Sequence, residues 1–187
     1  MRDCDTILDA YLAAIARHGW IGTRIDAVAV VAGTTAAAVA DVFIDRWSAL
    51  HAFGRRLDRA ALAGAEAESG SSVRDRFFAM MMERYDAMQP HKAAVREIWS
   101  AARRDPALAV FMLRETQLSI GRIADAAGVR TDGLAGQFRV RVLTIALIDL
   151  IPLWLDDESE DMASTMKALD GRLARLEKMA TTAIGFH

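Results

Sequence analysis

Five carboxylates fall within six residues at Asp156, Asp157, Glu158, Glu160 and Asp161. A set this dense can hold Ca2+ when a twelve-residue loop turns on a central glycine and closes on a glutamate. Neither that loop nor that glycine is present. Carboxylates just ahead of a helix also satisfy its first amides and favour its positive end, and capping is how we read the run. His18, His51 and His187 have no Cys or carboxylate at metal-ligand spacing. His91 follows Pro90 and reads as a helix-entry residue. There is no G-x-S-x-G, no phosphate loop, no G-x-G-x-x-G and no H-E-x-x-H. No catalytic residue, metal or cofactor is expected, and the chain is not expected to be an enzyme.

The remaining chemistry is apolar. Residues 73–88 contain Phe77, Phe78, Met80, Met81, Met82, Tyr85 and Met88. Methionine is flexible and polarizable and lines cavities that adapt to an apolar guest. Phe78, Met82, Tyr85, Trp99 and Phe111 are the candidate walls of a ligand pocket. A Met-rich stripe at helical spacing also packs an ordinary core, and the residues alone leave both readings open.

Thr23–Phe43 gives the chain its organisation. The spacing predicts a helix capped by Thr23, with Ile25, Val28 and Val31 on one face and Ala27 beside them. Gly33 can take the left-handed conformation that ends a helix. Thr34 or Thr35 then caps a second helix with Val39, Val42 and Phe43 on its apolar face. Two short helices joined by a glycine turn form a helix-turn-helix, whose second helix can lie in a DNA major groove.

A helix before this unit is predicted over Thr6–His18, capped by Asp3 or Asp5, with Ile7, Tyr11, Ala14 and Ile15 buried. Trp20 is expected in the core. A fourth helix is predicted from Asp45 to Glu66, with Leu50, Phe53, Leu57 and Ala61 on one side. Arg55, Arg56 and Arg59 form its solvated face. Glu68–Ser72 is the one clear linker. Further helices are predicted over 73–88, 91–103, 106–127, 134–155 and 161–184, nine in all. Asp105-Pro106 opens one of them as cap and first-turn proline. In the last, Met166, Leu169, Leu173 and Leu176 recur at steps of three and four, an a/d seam suited to a second subunit.

The bulk numbers limit the partners. Of 187 residues 53% are hydrophobic, only three are proline, and the net charge is −2, the composition of an all-α protein rather than a generally basic nucleic-acid binder. Residues 1–60 carry seven Arg and seven Asp with no Lys or Glu, so this segment is neutral. Cys4 is the only cysteine, which excludes an intrachain disulfide and fits a reducing cytoplasm. The longest apolar run, 142–155, is broken by Asp149 and too short to span a bilayer. No membrane span is expected.

The His18-Gly19-Trp20-x-Gly22-Thr23 turn, Ile25, Val28, Ala29, Ala32-Gly33 and Phe43 with Arg46 resemble the N-terminal domain of the TetR family of transcriptional regulators. The resemblance implies a helix-turn-helix head at 1–50 and a helical ligand-binding and dimerisation body at 51–187. It implies DNA contacts by Arg24, Thr34, Thr35, Ala36, Ala40 and Arg46, a homodimer through the last two helices, and a small apolar ligand in the body. Between Arg24 and Arg46 there is no Lys or Arg, and Asp41 stands where a basic residue is common. The stretch from Trp154 to Leu173, with Arg76, Met88-Gln89-Pro90-His91 and Arg104-Asp105-Pro106, resembles the lipid-binding accessory proteins of ubiquinone biosynthesis. Those share the TetR fold without binding DNA. This second resemblance implies the alternative: a lipid- or isoprenoid-binding protein.

Overall fold

The computed structural model describes residues 4–67 and 71–184. Among them are ten α-helices, one 3-10 turn and no strand, the all-α architecture expected. In order these are α1 (Cys4–Gly22), α2 (Ile25–Ala32), α3 (Ala36–Val42), α4 (Arg46–Ala67) and α5 (Val73–Met88). After a 3-10 turn at Gln89–His91 come α6 (Lys92–Ala102), α7 (Pro106–Ala127), α8 (Gly133–Ile148), α9 (Ile151–Asp156) and α10 (Ala163–Ile184). The chain divides into two compact units, Met1–Leu57 with Asp86–Thr116, and Asp58–Tyr85 with Gln117–His187.

In the first unit α1 buries Ile7, Leu8, Tyr11, Leu12, Ala14 and Ile15. This face is wider than the predicted stripe because α1 packs against α2, α3 and α6. Of its two predicted caps, Asp3 lies outside the described residues and Asp5 sits inside the first turn. Trp20 is a core residue, 1% exposed. Its ring meets Trp47 edge-on at 5.2 Å, and Trp47 meets Phe111 at 5.1 Å. Asp105 caps α7 as predicted, its Oδ1 accepting from the amides of Ala107 and Leu108.

The arginine face of α4 departs from expectation. Arg55 and Arg59 are exposed, but Arg56 donates to Asp9 Oδ1 at 2.6 Å and to His91 Nε2 at 2.8 Å. Accepting from a guanidinium requires a neutral ring with its proton on Nδ1. Burial, and then the charge of Arg56, push the His91 pKa down against the pull of Asp9. A run of arginines gives no sign of which member has a distant partner.

In the second unit Ser72 caps the start of α5. Its Oγ accepts from the Asp75 amide at 3.1 Å while its hydroxyl donates to Asp75 Oδ2. The single helix predicted over Leu134–Leu155 is two, α8 and α9, separated by a turn at 149–150. Pro152 lies in the first turn of α9. It has no amide to offer the Ile148 carbonyl, and its ring crowds that oxygen. This break makes ten helices among the described residues instead of nine.

The acidic run caps α10. Asp157 Oδ2 accepts from the amide and hydroxyl of Thr165, both at 2.8 Å, and Oδ1 accepts from the amide and hydroxyl of Ser159. The Ala163 amide donates to Ser159 Oγ and Asp161 Oδ1. The Ser159 hydroxyl, with both Thr165 donors, holds the Asp157 carboxyl well below the usual range although burial opposes it. A carboxyl depressed in the folded state stabilises above its unfolded pKa, about 3.9, and loses that contribution as pH falls toward the folded value. Asp157→Asn should therefore lower the melting temperature at neutral pH, and the deficit should shrink as the pH is taken from about 5 to about 2.5. An equal deficit at both pH values would show that these hydrogen bonds are not what Asp157 contributes.

Candidate functional site

The site is built on α2, α3 and the turn between them. Gly33 sits at φ 62°, ψ 37°, where a residue with a Cβ is strained. The amides of Gly33 and Thr34 turn back to the carbonyls of Val30 and Ala29, closing α2. Thr35 Oγ1 then accepts from the Ala38 amide at 3.2 Å. Thr35 is therefore the cap of α3, and Thr34 is not. The axes of α2 and α3 meet at a 100° bend, within the range for a helix-turn-helix.

Burial decides which face of α3 is available. Val39 is fully buried and Phe43, at the helix end, nearly so, with Phe43 edge-on to Tyr11 at 5.9 Å. The predicted partner Val42 is instead 37% exposed, as is Val31 of α2 at 38%. Each stands three residues past a buried valine, and the chain turns away before the next turn of helix can cover it. Opposite Val39 stand Ala37 and Asp41, both exposed, with Ala36 and Ala40 half-buried to one side. Thr34 and Thr35 are exposed at the N-terminal end.

The two arginines named for phosphates sit differently. Arg24 is exposed at the N-cap position of α2. Arg46 is half-buried: its Nη1 donates to the carbonyls of Trp20 and Ile21 at 3.2 Å each, and its guanidinium carbon is 5.1 Å from the Trp20 ring centre. It ties the start of α4 to the last carbonyls of α1. Thr23 is not the cap of α2; its hydroxyl donates to Gly19 O at 2.8 Å. Gly19 breaks the helix at φ 71°, ψ 169° and leaves that carbonyl open. Between the starts of α2 and α4 lies a shallow pocket of about 300 Å³ lined by Tyr11, Thr23, Ile25, Ile44, Asp45, Arg46 and Trp47. Burial and the nearby Asp45 charge raise the Tyr11 hydroxyl pKa.

The candidate pocket residues divide between the units. Phe78, Met82 and Tyr85 belong to the second, with Tyr85 buried 5.9 Å from Trp154; Trp99 and Phe111 belong to the first. Sequence reasoning missed a polar cluster in the second unit. Asp58 is 2% exposed, and its Oδ1 accepts from Arg84 Nη1 at 2.8 Å and from the Ser119 hydroxyl. Its Oδ2 accepts from Arg122 Nε at 3.1 Å and from Arg122 Nη2. An apolar stripe carrying isolated polar positions on three helices was the available signal.

Of the four seam residues, Leu169 and Leu173 are 0% and 6% exposed within the single chain. Those two offer a partner almost no surface. Met166 is 40% exposed and Leu176 half-buried. The exposed apolar stripe lies on α8, where Leu134, Phe138 and Ile145 are 86%, 67% and 67% exposed at helical spacing.

No family model and no curated protein matches the chain. Solved structures do. A TetR transcriptional regulator from Nitrosomonas europaea aligns with a TM-score of 0.77 at 18% identity, over 93% of this chain and 97% of that one. The chain has the TetR-regulator fold. A second TetR regulator, from Rhodococcus sp. RHA1, matches at 0.65 and 15% identity over 92% and 93%. The regulator FadR from Bacillus subtilis, in complex with stearoyl-CoA, matches at 0.60 and 12% over 92% and 98%.

Within this TetR-type head Arg46 acts as a staple. Arg46→Ala should cost about 1 kcal/mol, since two carbonyls at the end of α1 lose a charged donor. For a chain of this size that lowers the melting temperature by about 2–4 °C. Arg46→Lys, which lacks the planar fork, should recover only part of the loss. An unchanged melting temperature in Arg46→Ala would mean that the guanidinium does not hold α1 to α4.

Proposed function

We propose that the chain is a transcriptional regulator that binds DNA as a homodimer and responds to a small apolar ligand held near Phe78, Met82 and Tyr85. The observation that carries this is the capped α2–α3 pair at 100°, in a fold shared with solved transcriptional regulators. The exposed α8 stripe, with Met166 and Leu176 of α10, is the dimer surface. In the major groove α3 presents Ala36, Ala37 and Ala40, whose methyls pack against thymine, and Thr34, Thr35 and Asp41. Phosphate contacts fall mainly to Arg24, so each subunit neutralises about one phosphate and affinity falls only modestly with salt.

One observation favours a second reading, a lipid- or isoprenoid-binding protein that has kept the fold without DNA recognition. The Arg46 guanidinium is already engaged by Trp20 and Ile21, and α3 carries no cation.

Fluorescence anisotropy on the DNA upstream of the chain's own gene, at low and moderate salt, separates the two. The regulator reading expects sequence-dependent binding and, in Arg24→Ala, a log–log salt slope reduced by about 1 per lost contact. No binding at micromolar protein in low salt, with Asp41→Lys gaining it, would favour the second reading. Phe138→Asp places a charge in the proposed dimer surface and should yield a folded monomer by light scattering. A dimer of unchanged stability would remove α8 from the interface.

A further inference from the structure

We propose that His91, Arg56 and Asp9 form a proton-operated latch that holds α4 to the turn leading into α6 and opens in mild acid. The latch lies wholly within the first unit. Asp9 comes from α1, Arg56 from α4 and His91 from the 3-10 turn. Arg56 Nη2 is 2.8 Å from His91 Nε2, and Arg56 Nη1 is 2.6 Å from Asp9 Oδ1. The same carboxylate oxygen is 3.7 Å from His91 Nε2. One guanidinium thus donates to a carboxylate and to a ring nitrogen.

The ring contact exists in one protonation state only. A guanidinium has donors and no acceptor, so Nε2 must offer its lone pair. A proton on Nε2 removes that lone pair and sets two cationic donors against each other. The protonated ring has an alternative at hand in Asp9 Oδ1, which already stands close to both. Asp9 is therefore a shared acceptor: Arg56 holds it when the ring is neutral, and the ring draws it when charged. The joint between α1 and the turn survives this exchange. The hydrogen bond between α4 and the turn does not, which leaves Phe53 edge-on to the His91 ring at 5.5 Å.

The surroundings set the direction. Arg56 on α4 opposes protonation of the ring and Asp9 on α1 favours it. Asp5 of α1 stands 4.0 Å from Arg56. Lys92 and Arg96 follow on α6, each with partners of its own. The His91 and Arg56 side chains are 19% and 21% exposed, so desolvation also disfavours the charged ring. Burial first, and Arg56 second, push the ring's pKa below its ordinary value against the pull of Asp9. The contribution of a histidine depressed in this way is fully present above its unfolded value of about 6.5 and is lost as pH falls through the folded value. The latch is closed at neutral pH.

The test is hydrogen exchange of the full chain at about pH 7.5 and about pH 5, with rates corrected for their intrinsic pH dependence. The stretch of α4 that carries Phe53 and Arg56 should lose protection in acid, about tenfold for each unit by which the ring's pKa is lowered. His91→Gln keeps an acceptor for Arg56 and takes up no proton, so its protection should be the same at both pH values. The other histidine contact of α4, His51 with Glu115 at 2.7 Å, is present in both chains, and their difference isolates His91. In the unaltered chain, nitrogen NMR of the imidazole should show a midpoint below about 6.5. That midpoint should rise in Arg56→Gln and fall in Asp9→Asn. Equal protection at both pH values in the unaltered chain, the same loss in His91→Gln, or a midpoint that Arg56→Gln leaves in place would each overturn the latch.

Discussion

Helix α3 is seven residues long, too short to persist in water on its own hydrogen bonds. The geometry of the helix-turn-helix therefore depends on what holds α3 from outside. Thr35 supplies the first constraint by satisfying the Ala38 amide. Burial of Val39 and Phe43 supplies the second, and the Phe43 amide closes the helix on the Val39 carbonyl at 2.8 Å. Two apolar anchors four residues apart fix both the rotation of α3 about its axis and the faces it leaves exposed. Gly33 fixes the bend. The orientation of Ala37 and Asp41 follows from these contacts.

The second unit solves a different problem. Its α4, α5 and α7 segments converge on a carboxylate with almost no access to water. An ion pair in such a place contributes little net stability, because desolvation offsets the attraction. What it does contribute is register: Arg84, Ser119 and Arg122 each meet Asp58 only when their helices stand at one height relative to α4. The surrounding methionines and isoleucines would tolerate sliding.

Features determined by neighbours in sequence were legible there. The caps at Thr35 and Asp105, the turn at Gly33 and the acidic lead into α10 are all local, and the residue types announce them. The break at Pro152 was equally local, but the continuous apolar run around it masked the proline. Contacts between distant residues were not legible. Nothing near Arg46 or Arg56 in sequence points to Trp20 or Asp9, and Asp58 looks like any charge on an amphipathic helix. Leu169 and Leu173, placed on a seam by their spacing, are buried within the single chain; periodicity does not reveal whether a core belongs to one chain or two. On α3, the outward position of Ala37 became visible only once Val39 was known to point inward.

The alanine face of α3 has one further consequence. Alanine has no side-chain rotamers to freeze, so a surface of Ala36, Ala37 and Ala40 is as rigid as the backbone that carries it. A partner docking there causes no loss of side-chain freedom on this side, and it also meets no side chain able to swing into place. Fit then becomes a question of shape and distance between two fixed surfaces, and the tolerance for a mismatched partner is set by how far α3 itself can move on Val39 and Phe43.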